Sequence, residues 1–99
     1  MVKHIVLFKL KEFDTAEEKT RKISQIKMGL LNLKMLIKEL HTIEVGINEN
    51  TKEQYDIALT TTHRTMADLE AYAVHPDHQV VAKIIREVSE SRACVDFTF

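Results

Sequence analysis

The stretch "LEAYAVHPDHQVVAKIIREV", residues 69–88, concentrates polar chemistry at the start of an apolar helical pattern. Two histidines three residues apart, His75 and His78, enclose Pro76, the only proline of the chain, and Tyr72 lies three residues before the first. Neutral imidazole accepts a proton near physiological pH. A phenol donates a hydrogen bond to a developing enolate or alkoxide. The two groups together suffice to abstract a proton beside a carbonyl, with no metal or organic cofactor. His78 has helical spacing with Val81, Ala82 and Ile85, which turns it inward, and Tyr72 shares a face with Leu69. On a strand at the start of the chain, His4 has the parity of Val2, Val6 and Phe8. His4, Tyr72 and His78 are therefore candidates for one pocket, with His78 and Tyr72 as its reactive pair. The same residues also fit a structural role, with His78 bonded locally at a helix start and Tyr72 packed in the core, its hydroxyl at the rim.

Other polar groups carry less. The i, i+3 spacing of His75 and His78 can bring two imidazoles together, but Pro76 interrupts the helix and no third ligand is close in sequence. Zinc sites use three or four protein ligands, so no metal is assigned, and no cofactor. Cys94 reads as a small core residue. Asp96 shares its parity with Cys94 and Thr98, bonds within the sheet layer or a dimer seam, and is given no chemistry. His41, His63 and Arg64, at strand ends, read as solvated loop residues.

The elements that must position these groups follow from periodicity. "VKHIVLFKL" (2–10) is a strand apolar on both parities, hence buried on two sides. "DTAEEKTRKISQIKMGLL" is a helix capped by Thr15, with Glu18 in capping-box spacing and Ile23, Ile26 and Leu30 as its inner stripe. Gly29 or Asn32 is a candidate break, after which Leu33, Leu36, Ile37 and Leu40 continue the stripe. "HTIEVGIN" (41–48) alternates as a strand, "NENTKEQ" turns, and "YDIALTTTH" is the third strand. "TMADLEAYAV" is a helix capped by Thr65. Pro76 ends it and suits the first turn of the next helix, 77 to about 90, with Val80, Val81, Ile84, Ile85 and Val88 inward. "ACVDFTF" is the last strand. The order β-α-β-β-α-β predicts an α+β, ferredoxin-like domain, one unit over residues 1–99, with a four-stranded antiparallel sheet and both helical layers on one face.

Such a sheet has a bare face of roughly 400 Å² in projection. Ile5 and Leu7 point to it if His4, Val6 and Phe8 point to the helices. An apolar patch of that order is at the limit of what monomers expose, so a homodimer through the sheet face is expected.

Composition excludes several classes. The 99 residues carry a formal net charge of −1 and no basic block, which leaves no electrostatic footprint for nucleic acid. The apolar runs are too short to span a membrane. The opening residues do not read as a signal peptide, and a single cysteine fits a reducing, cytoplasmic setting.

"VKHIVLFKLK", "EVG", "YDIAL", "LEAYAVHPDHQ" and "VDFTF" together resemble the Dabb family, the stress-responsive dimeric A/B-barrel domains, over essentially the whole chain. The resemblance implies a ferredoxin-like unit that dimerises through its sheets into an α+β barrel. One branch, typified by the plant olivetolic acid cyclase, closes a linear polyketide by a cofactor-free aldol reaction. By that likeness His78 is the base, Tyr72 its helper and His4 a pocket residue. The chain departs from that branch where a third-strand pocket histidine is expected and Asp56 stands, in lacking a helical tyrosine in the first half, and in having "LKML" where a proline-containing turn is common. The expectation is thus a small, stress-related homodimer whose cavity takes a small, largely apolar molecule and works on it by acid–base chemistry. A non-catalytic stress or structural dimer with a filled core is the alternative, and an interaction module using an exposed helix face is a third.

Overall fold

The computed structural model describes residues 1–99. The elements are β1 (Val2–Leu10), α1 (Ala16–Leu36), β2 (Thr42–Ile47), β3 (Ile57–His63), α2 (Met66–Val74), α3 (Pro76–Val88) and β4 (Ser89–Thr98). The four strands form one antiparallel sheet in the order β2-β3-β1-β4. This is the ferredoxin-like arrangement, with the second helical stretch divided in two.

That division has a local cause. Pro76 has no N–H and stands at the first position of α3, where none is needed. His75 is at once the C-cap of α2 and the N-cap of α3, and its Nδ1 accepts the Asp77 N–H at 3.1 Å. The first helical stretch, by contrast, is a single helix of 21 residues that neither Gly29 nor Asn32 interrupts. Gly29 faces the Val81 side chain of α3, which comes within 3.4 Å of the place a Cβ would take, an ordinary packing distance between α1 and α3. Thr15 and Thr65 cap α1 and α2, accepting the N–H groups of Glu18 and Asp68 at 3.1 Å each.

The helix side of the sheet is the core. Val2, Val6, Phe8 and Leu10 of β1 and Ile57 and Leu59 of β3 are buried against Ile26, Leu30, Leu33, Leu69 and Ile85 of the helices. Two residues of the expected stripes face solvent: Leu36 at the end of α1 and Val80 on α3. β4 begins at Ser89, directly behind α3, several residues earlier than its apolar pattern suggests. No helix of the chain is long and apolar enough to cross a membrane.

The other side of the sheet is bare and divided. Register places Ile5 beside Val95, Leu7 beside Ala93 and Lys3 beside Phe97 in the β1/β4 half. In the β2/β3 half it places Glu44 beside Thr60 and Thr42 beside Thr62, with the two threonine hydroxyls bonded. Val95, Phe97 and Phe99 are exposed, and the Lys3 ammonium sits 4.6 Å above the Phe99 ring. The apolar surface expected on the bare face is therefore a band along β1 and β4.

Candidate functional site: a half-open cavity behind α2 and α3

The helices pack on β1, β2 and β3 but do not extend over β4. Between the overhanging sheet and the α2–α3 corner lies a half-open cavity of about 630 Å³. His4, Tyr72 and His78 all line it. Its depth is apolar, with Val6, Phe8, Leu30, Leu59 and Ile85, and its rim carries Arg86 and Arg92.

Tyr72 is 1 % exposed, and its hydroxyl has no hydrogen-bond partner. Burial raises its pKa from 10.0 to about 12, so the phenol stays protonated. Its ring lies between two imidazoles, 5.0 Å from His63 and 4.6 Å from His78, tilted to both.

His78, near the start of α3, holds a hydrogen bond from Nδ1 to the Ala73 carbonyl at 2.9 Å. A carbonyl only accepts, so Nδ1 carries the proton and Nε2 of the neutral ring is left with a bare lone pair. Burial lowers the His78 pKa below its ordinary 6.5, with the Ala73 bond opposing it, and His4 and Arg86 adding further downward pressure. The ring is thus neutral at cellular pH and able to accept a proton.

His4 presents the same polarity from the opposite wall. Its Nδ1 lies 2.5 Å from Asp96 Oδ1, and its side chain is 13 % exposed. The carboxylate accepts from Nδ1, and in the neutral form of this ring Nε2 is the acceptor. Asp96 and His4 are register partners on neighbouring strands. Sequence reasoning placed Asp96 on the correct parity but could not supply that register.

Two further assignments are corrected by the structure, those of His63 and Cys94. His63 is not a solvated strand-end residue but fully buried. Its Nδ1–H donates to the Glu39 carbonyl, and its Nε2 accepts from Thr61 Oγ1, both at 2.9 Å. It backs the Tyr72 ring and does not line the cavity. Cys94 is exposed, because no helix covers the inner face of β4. Asp56 lies outside the cavity, just ahead of β3, where it accepts the Leu10 N–H at 2.7 Å and pairs with Lys19 at 2.9 Å. In the His75–His78 pair, both Nδ1 atoms are engaged with backbone groups of the α2–α3 corner.

The two buried histidines make stability depend on pH. The unfolded chain takes up protons as pH falls through 6.5, while His63 and His78, held neutral by burial, resist them. Stability is therefore lost on acidification, beginning at about 6.5 and continuing down to the lowered folded values, by at most about 1.4 kcal/mol per pH unit for each group. Urea denaturation between about pH 8 and about pH 5 should show this slope, reduced in His63→Gln and in His78→Gln. An unchanged slope in both variants would contradict the assignment.

The chain matches the family model of the stress responsive A/B barrel domain, Dabb, over residues 2–99. It is 33 % identical over 100 residues to a stress-response A/B barrel domain-containing protein of Arabidopsis thaliana, DABB1. That match covers 98 % of this chain and 46 % of the relative, so the chain spans about half the length of the curated relative it matches. Among solved structures, it resembles a dimeric protein of unknown function and ferredoxin-like fold from Bacteroides fragilis, with 43 % identity and a TM-score of 0.93 over 99 % of this chain and 95 % of that one. A dimeric ferredoxin-like protein of unknown function from Thermobifida fusca is 26 % identical, with a TM-score of 0.84 over 99 % and 90 % of the two chains.

Proposed function

Because the chain belongs to the Dabb family of stress responsive A/B barrel domains, we propose that it works as a homodimer, one domain per chain, whose cavity binds a small, largely apolar carbonyl compound and carries out cofactor-independent acid–base chemistry on it. The observation that carries this reading is a cavity lined by His4, Tyr72 and His78, with the Tyr72 hydroxyl buried and unpartnered at its wall, where a small movement would offer it to a ligand. A buried hydroxyl left unbonded costs about 1–3 kcal/mol. A ligand oxygen that accepts from it recovers that cost.

The chemistry follows from the tautomers. His78 Nε2 takes a proton from a carbon beside a carbonyl, and the Tyr72 hydroxyl donates to the enolate oxygen that forms. In a substrate with a second carbonyl, the enolate carbon attacks it, and the resulting alkoxide is protonated by the imidazolium. That is a polyketide cyclase-like ring closure, and no redox partner enters it. His4, oriented by Asp96, offers a second acceptor for a substrate hydroxyl. The single cysteine suits a reducing, cytoplasmic setting. A fold hosts many chemistries, so the assignment rests on the site.

A thermal-shift screen of apolar β-dicarbonyl compounds and aromatic acids tests binding. A ligand at about 100 times its Kd stabilises by about 2.7 kcal/mol, a rise of roughly 10 °C or more for a domain of this size. The shift should be smaller in His78→Ala. Equal shifts in both proteins would remove His78 from the site, and no shift from any member would favour a non-catalytic stress or structural dimer.

A further inference from the structure

Where the helices stop short of β4, three metal-binding side chains meet on its helix-facing side. Asp96 and Cys94 project from the same face of β4, and His4 stands beside Asp96 on β1. Cys94 Sγ lies 3.5 Å from His4 Nδ1 and 3.6 Å from Asp96 Oδ1. One ligand atom from each of the three residues falls within 4.8 Å of the others.

We propose that His4, Cys94 and Asp96 form a binding site for a thiophilic divalent cation of the zinc class, on the inner face of β1 and β4 beside the cavity, which it meets only through His4. The distances fit such an ion. With metal–sulfur bonds of about 2.3 Å and metal–nitrogen bonds of about 2.05 Å, adjacent tetrahedral donors lie ~3.5 Å apart. Both sulfur edges already have that length. The His4–Asp96 edge, at 2.5 Å, is held short by the proton between its atoms. It must open by roughly 0.8 Å to reach a tetrahedral nitrogen–oxygen edge, a small movement for an exposed carboxylate on an edge strand.

Charge and protons also balance. A dication, one thiolate, one carboxylate and a neutral imidazole sum to zero, which suits a half-buried position. The thiol proton leaves to solvent, and the imidazole proton moves from Nδ1 to Nε2, so a neutral His4 releases one proton per ion in total. The thiolate selects against magnesium and calcium, which take oxygen donors. Three protein ligands leave a fourth position for water or a ligand atom, the pattern of sites that do more than hold structure. Loading the ion turns His4 Nε2 from an acceptor into a donor, so metal binding would change what the cavity recognises while leaving His78 as its base.

The test is titration of the chain, purified without a histidine tag, with zinc against a chelating indicator, and with cobalt read by absorbance. One zinc per chain is expected, together with a thiolate-to-cobalt charge-transfer band in the near ultraviolet. Loss of an outer partner of a metal ligand typically weakens binding 10–100-fold, so removing a direct ligand should weaken it by about 100-fold or more. Cys94→Ser should abolish the charge-transfer band. Asp96→Asn should retain the band and bind more weakly. His75→Ala should match the wild type. Less than one ion per chain, or equal affinity in the wild type and Cys94→Ser, overturns the site. The signals report the ion and not turnover, so failure here leaves the His78–Tyr72 reading standing.

Discussion

Tyr72→Phe is expected to make the protein more stable and less active. The phenol is 1 % exposed and its hydroxyl is unpartnered. Phenylalanine keeps the ring between His63 and His78 and removes only the orphaned group. The desolvation cost of about 1–3 kcal/mol is relieved, and the midpoint of thermal unfolding should rise by about 4 °C or more. If the hydroxyl serves the reaction by donating to a developing oxyanion, the same substitution should lower kcat by about 10²–10³-fold. Most substitutions at a buried aromatic residue lower stability and activity together. Opposite signs mark a group kept for function at the expense of stability. A Tyr72→Phe protein that melts lower than the wild type would mean that the hydroxyl has a partner in solution.

The variant should also differ at alkaline pH. In the wild type the unfolded tyrosine ionises near 10.0, whereas Tyr72 in the folded chain waits until about 12. Between those values the unfolded state gains charge that the folded state refuses. Stability is thus lost as pH rises from about 10 to about 12, by about 3 kcal/mol in all. Tyr72→Phe lacks this component, so its stability should exceed that of the wild type by a growing margin over the same range.

Short-range patterns were legible in the sequence, and long-range coverage was not. The parity of β1 gave the inner positions of His4, Val6 and Phe8. The spacing of Leu69, Tyr72, His78 and Ile85 gave the inner face of the helices, and the cavity brings His4, Tyr72 and His78 together. His63 was misread because burial at a strand end is decided by what passes over it. Here that is the Glu39 carbonyl from the α1–β2 connection and the Tyr72 ring from α2. Cys94 was misread for the opposite reason. Its apolar neighbours Val95 and Phe97 suggested a core strand, yet they face the bare side of the sheet, and no helix reaches the inner side of β4. The polar start of β4, "SESR", carries no strand signal because it has no apolar residue on either face of the sheet. Val80 follows the apolar helical run but turns outward, since Val81 and Ile85, with Ile84 and Val88 partly buried beside them, make up the inner stripe of α3.

The bare side of β4 leads to the second large effect. Wild-type protein should sediment as a dimer at micromolar concentration, and Ile5→Lys combined with Val95→Lys should be a monomer. Ile5 and Val95 are cross-strand partners in the middle of the apolar band formed with Leu7, Ala93 and Phe97. Two sheets packed face to face bury that band against its copy. The double substitution places two ammonium groups in the seam beside Lys3, which already lies over Phe99. An uncompensated charge buried in an interface costs about 3–5 kcal/mol, so the dimer Kd should rise by more than about 100-fold. On the exposed face of a monomer the same residues are harmless, and the far-ultraviolet spectrum should not change. The polar β2/β3 half offers a control, because Glu44→Lys on the edge strand β2 replaces one charge by another two strands from Ile5 and should weaken the dimer far less. A wild-type protein that remains monomeric, or a double variant that still associates with the wild-type Kd, would move the interface away from the sheet face, with the exposed edge of β4 as the next surface to test.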